Sequence, residues 1–443
     1  MSRVLHRNLR SDPAIAATGD GLWLRAAEGW DVIDASGGAA VACLGHGNRR
    51  VIRAMMEQAE RLSYAHTVFF TCDAAEELAD LLVGEEPGGL ARAYFVSSGS
   101  EAMEAALKLS RQYFLEIGQP QRWRYIARRQ SYHGNTLGAL GLGGNMARRE
   151  PYAPILADCF SHVSPCFAYR GQEAGESGAE YVARLAAELE AEFQRLGPDS
   201  VIAFVAETVV GATTGCVTAL PGYFAAMRAV CDRHGALLIL DEVMCGMGRT
   251  GTLHAWEQEG VAPDIQTVAK GLGGGYQPIG GVLAGRRIVD ALSAGSGSLK
   301  HGHTYQAHPV ACAAALEVQR IIRQDRLLEN VRTMGERLGT GLRDRFGGHP
   351  HIGDIRGRGL FWALEFVEDR ATRRSFNPDM RINDRIKDAA LRHGIAIYPM
   401  GGTVDGKQGD HIIIAPPYIA DAAAIDSIMD RLGDAVRDTI GAS

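Results

Sequence analysis

Six short apolar runs, at residues 93–96, 125–127, 201–206, 236–240, 265–269 and 281–284, set the tightest limit on what this chain can become. Each has the length of a strand and none alternates polar with apolar, the pattern of strands buried on both faces of a parallel sheet. Helical stretches lie between most of them. Residues 101–117 put Met103, Ala106, Leu107 and Phe114 on one stripe, and residues 223–234 follow Pro221-Gly222, a helix start signal. Strand and helix in alternation predict an α/β architecture, a mostly parallel sheet sandwiched by helices, with ligands taken beyond the carboxyl ends of the strands.

After Asp325 the texture changes. A long polar helix, a strand at 360–367, a helix at 381–393 and strands at 395–398 and 411–415 predict a smaller α+β unit. A hairpin through residues 22–24 and 31–34 is expected to pack with it. The chain is therefore expected to form a large α/β domain at 60–325 and a small α+β domain from 1–59 and 326–443, discontinuous in sequence. Residues 169–180, rich in Gly, Glu and Ser, read as a polar connector, and the uncharged stretch 208–227 as a loop leading into a helix.

Composition narrows the class. With 443 residues, 46% of them apolar, and 54 glycines that follow no triplet period, the chain buries a large core and is neither collagen-like nor disordered. A net charge of −6 argues against a broad nucleic-acid or anionic-membrane surface. Eight cysteines without a C-x-x-C pair read as reduced thiols packed as small hydrophobes. The basic first ten residues carry no apolar signal core, so a cytoplasmic location is expected.

The chemistry-bearing residues cluster at strand ends. Leu240-Asp241-Glu242-Val243 sets two carboxylates immediately after an apolar strand, where a buried acid needs a cationic partner. The next strand ends in Lys270 and a glycine run, and an amine in a partly dry site loses proton affinity and becomes a nucleophile for an aldehyde. Ser97-Ser98-Gly99-Ser100-Glu101 opens a helix with free N–H groups and hydroxyls, a cradle for an anion. Tyr132-His133-Gly134 offers an aromatic face for a planar ring. Alone, each has an ordinary reading: a solvated strand end, a surface lysine by a turn, a plain helix cap. His301, His303 and His308 invite a metal, but no paired carboxylate or H-E-x-x-H spacing accompanies them, so no metal is expected. Together, a phosphate cradle, an aromatic platform, an acid and an imine-forming lysine on one sheet edge describe a pocket for pyridoxal 5′-phosphate.

The order of these motifs resembles the class III aminotransferases of the fold-type I pyridoxal-phosphate transferases over nearly the whole chain. Ser98-Gly99-Ser100-Glu101-Ala102, Tyr132-His133-Gly134, Leu240 to Val243 with Gly246-Met247-Gly248-Arg249-Thr250-Gly251, Ala269-Lys270-Gly271 and Gly302-His303-Thr304-Tyr305 carry the likeness. It implies that Lys270 is the catalytic Schiff-base lysine and Asp241 the partner of the pyridine nitrogen. Val243 and Tyr132 would face the two sides of the ring, Ser98, Gly99 and Ser100 would hold the phosphate, and His133 and Glu207 would stand beside the cofactor. Thr304 would reach the phosphate in the neighbouring subunit of a homodimer with shared sites.

Substrate residues are less conventional. Amino-acid transaminases of this class place an arginine for the substrate carboxylate near the end of the chain, where Tyr398 and the run His411 to Ala415 stand without one. Lys407, in the glycine-rich stretch 401–410, is a point charge on what reads as a surface loop. Ala39 and Ala40 align with a stretch that roofs the substrate pocket and would leave room there; Phe69 and Phe70 are further substrate-side candidates. The expectation is an omega-amino-acid or amine transaminase that moves an amino group from a small-molecule primary amine to a 2-oxo acid such as pyruvate by a ping-pong mechanism. An aminomutase, decarboxylase or racemase shares scaffold and lysine and stays open. A nicotinamide-dependent oxidoreductase is the distant alternative, because residues 246–251 match G-x-G-x-x-G and Asp264 lies near where a ribose acid would sit.

Overall fold

A computed structural model describes residues 2–441, so the first residue and the last two of the expected small domain lie outside the described residues. The fold class is the expected one. Seven strands form the central sheet in the order Leu90–Val96, Gly280–Gly285, Ile265–Val268, Leu237–Asp241, Val201–Glu207, Arg124–Arg128, Phe160–Val163. Only Gly280–Gly285 runs against its neighbours. Val201–Glu207 and Leu237–Asp241 are buried at every residue, which is why their sequences lack alternation. Helices Gly99–Glu116 and Tyr223–Arg233 cover the sheet near the predicted positions.

Pairing sets the carboxyl ends in one row. Asp241 lies opposite Glu207 on one side and Thr267 on the other, and Gly280 opposite Val96. The loops that follow these strands, with Ser97 to Ser100 and Lys270, therefore open on the same edge.

A second apolar core joins the two ends of the chain: Ile33 and Val51 pack in one cluster with Leu364, Ile386, Ile412 and Leu432. Ile395–Ala396 runs parallel to Asp31–Asp34 in a sheet with Ala16–Asp20 and Trp23–Ala26. Beside it, Ile352–Gly357, Trp362–Phe366, Asp410–Ile414 and Tyr398–Gly401 form another four-stranded sheet. The single strand expected at 395–398 is thus two, because Ile397 marks the step from one sheet to the other. The expected loop at 208–227 holds a small hairpin, Val209–Val210 with Val217–Thr218, and the connector at 169–180 begins inside a short helix, Ala168–Gly171.

Buried charges tie the hairpin to the sheet that holds Ile352–Gly357 and Trp362–Phe366. Glu365, fully buried, meets Arg356 at 2.7 Å and accepts from Arg170 Nε at 2.7 Å. Arg356 in turn donates to the carbonyls of Thr214 and Gly215 and lies over the Phe167 ring. Removing one member of a buried ion network strands its partners in low dielectric. Glu365→Leu is expected to destabilise the fold by about 3 kcal/mol, read as a lower denaturant midpoint at unchanged slope; an unshifted midpoint would show that the two arginines find other partners.

Candidate active site

The row of strand ends forms the floor of a cavity of about 470 Å³ lined by Lys270, Asp241, Tyr132, Val243, Gly99 and Ser100, among others. Ala39, Val41 and Tyr398 reach it from the two ends of the chain.

The two carboxylates after the strand Leu237–Asp241 point to different work. Asp241 lines the cavity, with His133 Nδ1 2.8 Å from Oδ2 and the Val243 N–H donating to Oδ1 at 3.0 Å. His133 is buried beneath it, its Nε2 without a partner. Glu242 turns away: its carboxylate accepts from Thr208, Ala255, Trp256 and Gln266, and burial pushes its pKa up to about 7. Glu207 is also buried and accepts from the Tyr132 and Gly211 N–H groups, so it joins the aromatic loop to the hairpin. Burial pushes its pKa up, opposed by His133 and assisted by the charge on Asp241.

Lys270 opens a tight turn, Lys270–Leu272, at a φ of 43°, a left-handed conformation rare for a side chain of this size. Strained backbone of this kind gathers where a side chain must be aimed. Its amine faces the cavity, and burial lowers its pKa to about 8, against the opposing pull of Asp241 and Glu207. Among the described residues no carboxylate lies within salt-bridge distance of it.

The helix Gly99–Glu116 presents its amino end to the same space. Ser98 caps it by accepting from the Glu101 N–H at 3.2 Å, and Glu101 returns the bond by accepting from the Ser97 N–H at 2.7 Å. Gly99 is required by contact: a Cβ there would meet Val243 Cγ1 at 2.8 Å. The Ser100 hydroxyl is engaged with Asn135, leaving backbone N–H groups and the positive end of the helix for an anion.

A phosphorylated pyridine aldehyde fits these residues on three counts. The amine is enclosed and unpaired, the carboxylate is aimed inward by two donors, and the cradle is kept open by a glycine that a Cβ would fill. Among the described residues no group of His, Cys, Asp or Glu is placed to hold a metal ion. The glycine stretch 246–251 is buried: Arg249 donates to the carbonyls of Leu360 and Pro416, and no helix of dinucleotide-binding type follows.

Of the residues picked from sequence, Ser98, Gly99, Ser100, Tyr132, His133, Glu207, Asp241, Val243, Lys270, Ala39 and Tyr398 share this cavity. Ala40 does not: at a φ of 63° it turns into the core beside Phe361 and Ala415. Phe69 and Phe70 lie on the outer surface, 76% and 66% exposed. Thr304 is exposed too, its carbonyl taken by the Tyr64 hydroxyl. Lys407 reaches outward to Glu150 at 3.5 Å. Sequence reasoning passed over Arg148, Gln277, Val209 and Ala212, which line the cavity. Asn145 before a short basic run was the available sign for Arg148, being a helix cap that fixes where the arginines start.

A family model, aminotransferase class-III, matches residues 6–436. An uncharacterized aminotransferase of Schizosaccharomyces pombe is 52% identical over 430 residues, covering 97% of this chain and 94% of the relative. A diaminobutyrate–2-oxoglutarate transaminase of Halomonas elongata is 34% identical, covering 94% and 89%. Among solved structures, an (S)-enantioselective omega-transaminase from Thermomicrobium roseum superposes with a TM-score of 0.92 at 37% identity, covering 98% and 96% of the two chains. The omega-transaminase of Pseudomonas jessenii in complex with PMP gives 0.91 at 32% identity, covering 96% and 93%.

The lysine yields a pH test on the cofactor-free protein. Its folded pKa of about 8 lies below the ordinary 10.5, so between these values the unfolded chain binds more protons than the folded one and stability rises with pH. Lys270→Met abolishes that contribution. The wild-type unfolding free energy minus that of the variant is expected to climb from pH 8 to 10.5; a flat difference would mean that the folded amine titrates as it does in water.

Proposed function

The chain belongs to the class-III aminotransferases, which are pyridoxal-phosphate enzymes, and on that footing we propose that it moves an amino group from a primary amine or omega-amino acid to a 2-oxo acid such as pyruvate. The observation that carries the donor class is the wall above Lys270. Ala39, Val41, Val209, Ala212 and Tyr398 give it small or uncharged side chains, with no arginine at the position of Tyr398. An uncharged wall admits the body of an amine without desolvating a charge against it. The solved relatives include omega-transaminases, one of them engineered for bulky amines.

Lys270 would tether the cofactor aldehyde, Asp241 would hold the ring nitrogen, Tyr132 and Val243 would flank the ring, and Ser98, Gly99 and Ser100 would receive the phosphate. When bound, the cofactor supplies an electron sink for the pair left as a substrate C–H bond breaks. The chain's own part is to hold charge and move a proton. Asp241, held with Oδ2 2.8 Å from His133 Nδ1 and with Oδ1 accepting from the Val243 N–H, would be fixed in place to face the ring nitrogen. Lys270 Nζ, with a pKa lowered to about 8 before any ligand enters, is poised to take a proton and return it near neutral pH.

One lysine in one cavity serves donor and acceptor in turn, which is a ping-pong sequence. The exposed apolar patch of Val68, Phe69 and Phe70 and the outward position of Thr304 support a homodimer in which Thr304 reaches the partner's site. The unbonded cysteines suit a cytoplasmic enzyme.

With pyruvate as acceptor, a panel of primary amines is expected to yield alanine, and Lys270→Ala to lower turnover roughly a hundred- to ten-thousandfold. A panel in which only alpha-amino acids donate would overturn the donor class, and appreciable turnover by K270A would overturn the role of the lysine.

A further inference from the structure

The cavity has a cationic rim. Its lining holds three groups with a permanent or ready positive charge apart from His133: Lys270, Arg7 and Arg148. Lys270 is committed to the cofactor in the reading above, on which this inference rests, and Arg7 belongs to an exposed segment near the chain's start. Arg148 is different. It sits half-buried on the short helix Met146–Arg149, started by Asn145, whose side chain accepts from the Arg148 N–H at 3.2 Å. Its guanidinium lies 4.8 Å from the centre of the Tyr132 ring, a stacked arrangement that restricts the side chain while leaving its in-plane N–H groups unspent.

Two other arginines sharpen the contrast. Arg129 is paired with Glu188 and Arg170 with Glu365, whereas among the described residues no carboxylate reaches Arg148 within salt-bridge distance. The glycine-rich stretch 401–410 has a part in this. Gln130 donates to the Gly402 carbonyl at 2.8 Å, and Gly406, at a φ of 91°, lies so close under the short helix that a Cβ there would be 3.1 Å from the Ala147 nitrogen. The stretch braces the helix that carries Arg148, and its own Lys407 spends its charge on Glu150 outside the cavity.

We propose that Arg148, stacked on Tyr132 and braced from beneath by the backbone at Gly406, is the residue that receives the carboxylate of the 2-oxo acid acceptor. A planar guanidinium offers a carboxylate two parallel N–H donors, which a lysine does not. At the rim rather than on the wall, it leaves the uncharged space beside Ala39 and Ala212 to an amine that carries no carboxylate.

The test follows only the acceptor half of the reaction, so it is independent of which amines donate. Enzyme loaded with pyridoxamine 5′-phosphate is reacted with pyruvate and with propanal, which has the same number of carbons and no carboxylate, and the ratio of their kcat/KM values is taken. Arg148→Leu is expected to lower that ratio roughly 10- to 100-fold, mainly through KM for pyruvate, with Arg148→Lys between leucine variant and wild type and Lys407→Ala at the wild-type ratio. Calorimetric titration with propionate gives a second readout, a dissociation constant raised about tenfold in R148L. A wild-type ratio no higher than that of R148L, or a fall in K407A in place of R148L, would overturn the assignment; a failure of primary amines to donate, with the ratio still falling in R148L, would overturn only the donor class.

Discussion

A carboxylate held at the end of a buried strand is the constraint around which this structure is arranged. A buried acid needs partners for its oxygens. Asp241 has the His133 ring nitrogen 2.8 Å from one oxygen and the Val243 N–H on the other, and the lysine amine shares its cavity without touching it. Burial lowers the proton affinity of Lys270. One pocket thus holds a carboxylate fixed by two partners beside an amine that has none.

The fold provides this by register. The parallel pairing of Leu237–Asp241 with its neighbours brings Glu207, Asp241 and Thr267 level, and the strand before Lys270 stops at Val268, so the turn carrying the lysine rises directly beside the acid. The rest of the wall comes from elsewhere in the chain. Ala212 is held by the hairpin whose Thr214 and Gly215 carbonyls Arg356 gathers, and Tyr398 begins a strand paired with Asp410–Ile414. Both pack on a small core of their own, in which Ala40, Met244, Phe361 and Ile413 meet.

What was legible in the sequence follows from burial. Strands covered on both faces leave unbroken apolar runs, and six of the seven central strands were visible for that reason. Phe160–Val163, at the sheet edge and only partly covered, left none. Ala16–Asp20 and Ile352–Gly357, mostly exposed or half-buried, were silent likewise. The side of the cavity formed by the strand ends was readable because strand ends and helix starts carry short motifs at fixed offsets. The opposite side was not, since its residues come from loops whose direction depends on tertiary packing: Ala39 and Ala40 are neighbours in sequence, yet one faces the cavity and the other the core. For Arg148 the Asn145 cap marked the helix but not its place at the cavity, because that placement depends on a loop more than two hundred residues away closing beneath it.

The parallel pairing of Ile395–Ala396 with Ile33–Asp34 also has a consequence for biosynthesis. During translation the hairpin that carries Ile33 and Asp34 leaves the ribosome long before the strand that completes its sheet, and its apolar side must wait uncovered until about 360 further residues have been added. Such delayed closure of distant segments slows folding and prolongs exposure of sticky surface. A nascent chain of this protein would be a natural client for chaperones that shield its first strands while the last ones are being made.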